Sequence, residues 1–396
     1  MVMWRMAKRS RLIAIIVVSI AILFLAFGLP VTANGSQNSG QNNPGGYVKY
    51  TLILANNTLI NGNFVYTSYA VGPRGIAYDP SNGYIYVANY GSDTVSVIDG
   101  TTVITNILVG FQPWGVAYDP SNGYIYVTNY GSVTVSVIDG ANNTVIATIP
   151  VGGGPMGVAY DPSNGYIYVV NSAYPGTVSV INGTTNSVIA TIPVGYDPWG
   201  VAYDPSNGYI YVTNYGSDTV SVIDGTTVIA NITVGTWPAG VAYDPSNGYI
   251  YVTNYGSDTV SVIDGTTVIA KIPVGSEPEG VAYDPSNGYI YVANSGSDTV
   301  SVINGATNTV IANITVGSMP ACVTYDPSNG YIYVTNWNSG TVSIISTSVS
   351  TSSTSISSVT TPTTSTSSLV PTLVVVVVVV VAVLIVALLM IKHRKP

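Results

Sequence analysis

The chain has 396 residues, 47% of them apolar and only 7% charged. Seven of its ten basic residues sit at the two ends, and between them three cations face eighteen carboxylates, a net of −15. Phosphate binding needs clustered Lys and Arg, so nucleic acid is excluded as a partner. One cysteine, Cys322, excludes an intrachain disulfide, and a body whose only histidine, His393, lies in the C-terminal tail excludes histidine-based catalysis and most zinc sites.

Residues 1–33 read as a secretory signal. Arg5, Lys8, Arg9 and Arg11 precede an apolar run and a small-residue stop, Val31-Thr32-Ala33, and an uncleaved signal anchor is the alternative. Residues 34–63 form a linker, with an extra hairpin or short lid over 47–60. The far end mirrors the first. Residues 347–368 are nearly all Ser and Thr, too polar to fold, and suit an O-glycosylated stalk. Residues 369–391 then form an apolar segment whose last nineteen residues span about 28 Å as a helix, at ~1.5 Å per residue. The basic tail 392–396 follows, which places the C-terminus in the cytoplasm, the body outside, and the membrane among the partners.

Between the ends, Tyr-Asp-Pro-Ser-Asn-Gly-Tyr-Ile-Tyr-Val begins at Tyr78, Tyr118, Tyr160, Tyr203, Tyr243, Tyr283 and Tyr325, at spacings of 40 to 43 residues. A fixed period of that length marks a repeat architecture. Each unit reads as four strands. A short strand stops at the Asp-Pro turn, where Pro presets φ and Gly supplies a left-handed exit. An aromatic and β-branched strand follows, then a third strand, an Asp-Gly or similar hairpin signal, and a fourth strand. Four antiparallel strands per forty residues is the arithmetic of a propeller blade. Tyr209-Ile210-Tyr211-Val212 is apolar on both faces, as a sheet sandwiched between neighbours requires.

The predicted fold is therefore all-β, a seven-bladed β-propeller of four-stranded antiparallel blades over residues 64–346, with terminal hydrophobic helices. The array supplies only six fourth strands after its seven third strands. Residues 64–71, which run into Ala-Val-Gly at 70–72 like the other copies, are predicted to pair with the last blade and close the ring. A degenerate eighth blade is the alternative.

Tyr-Val-Thr-Asn recurs at residues 126–129, 211–214, 251–254 and 333–336, with variants at 86–89, 168–171 and 291–294. Over residues 64–346 the chain resembles the YVTN family of β-propellers, which includes archaeal surface-layer and other cell-surface proteins. That resemblance implies a propeller and a surface role, and related propellers include lactonases and lyases.

Little in the repeat points to chemistry. Asp79, Asp119, Asp161, Asp204, Asp244, Asp284 and Asp326 are better suited to capping turns than to holding calcium, which needs several carboxylates. Asp93, Asp218, Asp258 and Asp298 fit bonds to local backbone better than a cation ring, because Val133 interrupts the series. Glu277 and Glu279 are two residues apart on one loop and read as solvated, and Cys322 as a small buried residue. No metal and no cofactor is called for. The copies differ most in the loop entering each blade, which should share one face with the loop between the second and third strands. A ring of aromatics, Trp114, Trp199, Trp237, Tyr90, Tyr130, Tyr215, Tyr255 and Trp337, is expected there, suited to a surface glycan or an envelope protein. Asn34, Asn56, Asn142, Asn182, Asn231 and Asn313 are glycosylation acceptors by sequence. The function read from sequence is non-enzymatic binding, adhesion or envelope structure at the cell surface, with an exported lactonase or polysaccharide lyase as the alternative.

Overall fold

The structure is a computed structural model that describes residues 46–54, 57–60, 63–66 and 71–346. Both expected terminal helices, the stalk, Asn34 and Asn56 lie outside those residues, and no helix among the described residues is long and apolar enough to cross a membrane.

Seven four-stranded antiparallel sheets follow one another along the chain. Their first strands are Pro73–Asp79, Pro113–Asp119, Pro155–Asp161, Pro198–Asp204, Pro238–Asp244, Pro278–Asp284 and Pro320–Asp326, numbered blades 1 to 7. Each first strand packs on that of the next blade, and blade 7 packs on blade 1, so these strands line the axis of a closed ring. Blade 4 shows the pattern: Pro198–Asp204, Tyr209–Asn214, Thr219–Asp224 and, outermost, Thr227–Thr233. Second and third strands are buried on both faces, because neighbouring blades cover both sides, while the outer strands are largely exposed. The apolar core is accordingly split into wedges between blades. One joins Tyr126, Val135, Val137 and Ile149 of blade 2 to Ile167, Val169 and Ile181 of blade 3.

Each residue of the Tyr-Val-Thr-Asn motif has its own task. The buried tyrosine donates its hydroxyl to a carbonyl in the outer hairpin of the next blade, as in Tyr211 to Gly265 at 3.0 Å and Tyr126 to Gly183 at 3.3 Å. The valine fills the wedge. The threonine hydroxyl donates to the next blade's first strand, Thr128 to the Met156 carbonyl and Thr213 to the Ala239 carbonyl, both at 2.6 Å. Asparagine Nδ2 ties the second strand to hydroxyls of the third, Asn214 to Thr219 and Ser221 at 3.1 and 2.9 Å. The Asp-Pro turns also behave as read: each Asp is buried, and Asp204 accepts from both the Ser206 N–H and its hydroxyl.

Ring closure follows the expected principle with a different segment. The strand that completes blade 7 is Tyr47–Ile53, paired antiparallel with Thr341–Ser346. It is not residues 64–71: Asn63–Tyr66 pairs instead with Asn57–Ile60 in a separate hairpin. The extra hairpin thus exists, displaced to 57–66, and the domain begins earlier than residue 64. The Leu54 N–H bonds the Gly340 carbonyl as Val109 bonds Asp93 in blade 1, so Tyr47–Ile53 occupies the outer-strand position. Residues 55–70 are an insertion between that strand and Val71-Gly72, where the repeat resumes. Matching on Ala-Val-Gly located the resumption and missed the strand before it. Leu52, 2% exposed, packs with Ile85 and Val87 of blade 1. Tyr333 to the Gly100 carbonyl (3.0 Å) and Thr335 to the Arg74 carbonyl (2.8 Å) finish the seam.

This assignment is testable. Leu52→Ala should cost about 2–5 kcal/mol in thermal or denaturant unfolding, as for any packed core leucine. A linker residue would give a change near zero, and that result would remove Tyr47–Ile53 from the ring.

Candidate functional site

In blades 1 to 6 the ladder between the first two strands breaks between the leading proline and the apolar residue three positions on, for example between Pro113 and Val116. The two intervening residues leave the ladder at the axis. Where the motif carries threonine, its hydroxyl fills the gap, the Gly115 N–H donating to Thr128 Oγ1 at 2.7 Å. The second of the pair is glycine in these six blades because the next blade passes so close. A Cβ on Gly75 would lie 2.3 Å from the Trp114 carbonyl oxygen. The first of the pair varies freely: Arg74, Trp114, Met156, Trp199, Ala239, Glu279 and, in blade 7, Ala321. Seven nearly identical blades thus deliver seven chosen side chains to one mouth.

Arg74 and Glu279 meet there at 2.6 Å, from blades 1 and 6. The residue between them on blade 7 is the small Ala321, which leaves the span open. The Arg74 guanidinium also lies over Trp114 at 4.4 Å and Trp337 at 4.7 Å. Burial raises the Glu279 carboxyl above its ordinary range, and the Arg74 charge and hydrogen bond pull against that. Glu279 is therefore no solvated loop residue, as the sequence suggested, but the mostly covered partner of an arginine, with the Arg74 and Glu279 side chains 16% and 13% exposed. A cavity of about 160 Å³ lies on the axis, lined by Arg74, Trp114, Trp199 and Glu279 above and by Val158, Val201 and Val241. Cys322 also lines it, and burial pushes its thiol up to about 11, so at neutral pH it is no thiolate nucleophile.

The eight predicted aromatics form one connected array. Trp114 touches Tyr90, Tyr130 and Trp199, with ring centroids 5.6, 5.8 and 5.5 Å apart. Trp199 stacks on Tyr215 at 5.1 Å, and Tyr215 stacks on Trp237 at 5.6 Å and reaches Tyr255 at 6.1 Å. Trp337 joins the array through Arg74. Trp237 is 47% exposed, and a second pair, Tyr174 and Tyr196, stacks at 5.7 Å on the same face. The Tyr255 hydroxyl donates to Glu277 at 2.9 Å, and burial, then Glu277, push it up to about 12.

Carboxylates of the preceding blade hold the variable loops in shape. Asp218 Oδ1 accepts from the Trp237 N–H at 2.8 Å and Asp258 Oδ1 from the Glu277 N–H at 2.9 Å. Trp237 and Glu277 both have φ of +54°, a left-handed conformation that a side chain adopts only when held. The Gly-Ser-Asp-Thr acids therefore bond backbone, as expected, but that of the adjoining entry loop. Among the described residues no group of three or more His, Cys, Asp or Glu could hold a metal ion. Sequence reasoning missed Arg74 and the role of Glu279. The available signal was positional: both occupy the repeat position of Trp114 and Trp199.

No family model matches the chain, and no curated protein matches it. Among solved structures the chain is similar to hydrazine synthase of Kuenenia stuttgartiensis, with 24% identity over 73% of this chain and 99% of that one, TM-score 0.65. It is also similar to streptogramin B lyase, with 15% identity over 74% of this chain and 97% of that one, TM-score 0.63. At these identities the likeness is one of fold.

The Arg74–Glu279 pair carries a pH signature. In Arg74→Met the burial of Glu279 is unopposed, so its folded pKa rises further above the unfolded value. Such a carboxyl stabilises the fold below about pH 4.3, and that contribution is lost as pH rises through the folded pKa. The variant should be about 3–5 kcal/mol less stable than the parent at pH 7, with the deficit shrinking toward pH 4, in paired denaturant titrations. A deficit that does not depend on pH would mean that Arg74 does not offset the burial of Glu279.

Proposed function

We propose that the propeller is a non-enzymatic binding module, held on the outer side of a membrane by its C-terminal segment, that takes a cell-surface glycan at the mouth. The observation that carries this reading is the array at the axis: eight aromatic rings joined around one Arg–Glu pair. Sugars offer an apolar ring face and a rim of hydroxyls. Trp and Tyr planes match the first, while a guanidinium and a carboxylate side by side supply donors and acceptors for the second. The net −15 of the body disfavours a strongly anionic ligand. The basic and apolar ends and the resemblance to YVTN surface propellers support the address.

The exported-enzyme reading draws on one feature, the raised carboxyl of Glu279, since a perturbed acid in a cavity is a candidate general base. Against it, Arg74 occupies that carboxylate at 2.6 Å, and Glu277 is engaged by Tyr255.

The test is a glycan array probed with the full-length chain, alongside Trp199→Ala and Trp237→Ala. Each substitution should weaken the best glycan about tenfold, the ~1.4 kcal/mol of one stacked ring, with the circular dichroism spectrum unchanged. Binding that survives both changes would sink the reading. Capture of an envelope protein with no glycan bound would replace it with a protein partner, and turnover of a lactone or polysaccharide would replace it with the enzyme.

A further inference from the structure

Every outer strand is a sheet edge with unpaired backbone groups, a template for association that proteins block with charge, bulges or proline. In blades 2, 3 and 5 the outer strands Thr144–Pro150, Ser187–Pro193 and Thr267–Pro273 end in proline. Pro150, for instance, stands opposite Thr134. Proline has no N–H, so the ladder needs none at this position, and a residue placed there points its N–H outward. In blades 4 and 6 the equivalent residues are Thr233, opposite Thr219, and Thr315, opposite Thr299. Like the edges of blades 1 and 7, which end in Leu108 opposite Thr94 and Ile53 opposite Thr341, those of blades 4 and 6 lack the proline block.

These two strands, alone among the six that end the repeats of blades 1 to 6, carry Asn-Ile-Thr, at residues 231–233 and 313–315. Both asparagines are exposed. Asn231 Oδ1 accepts from Ser221 at 2.8 Å and Asn313 Oδ1 from Ser301 at 2.7 Å. Each Nδ2 has no hydrogen-bond partner among the described residues, and the fixed Oδ1 turns the amide's other end to solvent. Blade 1 shows that the bond does not require the threonine: Asn106 accepts from Ser96 at 2.7 Å and is followed by Ile107-Leu108. The other described acceptors are engaged in turns. Asn142 Nδ2 donates to Asp139 at 2.7 Å, and Asn182 Oδ1 caps the Thr184 N–H at 2.9 Å.

We propose that Asn231 and Asn313 carry N-linked glycans that cover the outer edges of blades 4 and 6, two of the four that end without proline. In the transfer Nδ2 attacks the anomeric carbon of an activated glycosyl phosphate donor. The C–N bond forms as the C–O bond to phosphate breaks, and Nδ2 releases one proton. The inference rests on the reading that the body is exported.

The experiment uses the full chain purified from membranes of the organism that makes it, digested with a protease of broad specificity and analysed by mass spectrometry. Glycan mass on the peptides containing Asn231 and Asn313, at more than half occupancy, is the expected result. Unmodified asparagines on a body that protease reaches on intact cells overturn the proposal alone. A body that protease does not reach overturns the export reading and the proposal with it. The edge role has its own arm in sedimentation velocity. The Asn231→Gln/Asn313→Gln double variant should self-associate at least threefold more than the parent. Thr233→Pro/Thr315→Pro, which also loses both acceptors but restores proline, should behave like the parent. Equal behaviour of all three overturns the shielding role.

Discussion

The strand pairing that completes blade 7 and seats it against blade 1 governs the rest of the molecule. Chain continuity carries every blade into the next, but inside blade 7 the strand Tyr47–Ile53 is held to Thr341–Ser346 by non-covalent pairing alone. Around that latch stand Leu52 in the wedge, Tyr333 on Gly100 and Thr335 on Arg74. The last of these bonds ends on the backbone of the residue that reaches across the mouth to Glu279. Closure and site geometry therefore share one residue. If the ring opened, Arg74 would lose both its carbonyl tether and the position from which it meets blade 6.

The repeat divides labour between positions that cannot vary and one that can. Glycine at Gly75 and its equivalents is set by a carbonyl 2.3–2.6 Å from where a Cβ would stand. The motif tyrosine and asparagine are set by hydrogen bonds inside and between blades. The residue just before that glycine meets none of these demands, because the broken ladder has released it. Divergence there costs the scaffold little, which is how Arg, Trp, Met, Ala and Glu can all occupy one repeat position. The third motif position is intermediate. Thr128, Thr213, Thr253 and Thr335 each bond the next blade, whereas Ala88, Val170 and Ala293 give up that bond.

Most of the architecture was legible because the period, the turn chemistry and two-sided apolar strands all report local constraints. The shared face of Trp114, Tyr130, Trp199 and Tyr215 followed from counting strands alone. The outer strand of blade 7 was not legible, since Tyr47–Ile53 shares no motif with the copies it replaces and is separated from the array by an insertion. A strand that pairs across nearly three hundred residues leaves only an apolar pattern in sequence. Glu279 was misread for a related reason. Its loop looked solvated in one dimension, and only the ring brings Arg74, two hundred positions away, into contact with it.

The completion of blade 7 by a segment outside the array has an evolutionary corollary. Near-identical tandem units are prone to recombination errors that drop or duplicate a whole copy. Here such an event leaves every sheet with its full complement of strands, because the completing segment precedes the first unit and the sheet it completes is always the last. Only the circumference would object, through wedges that no longer meet at the right angle. Strand pairing therefore does not fix the number of copies; what fixes it is how the blades meet around the ring and across its mouth.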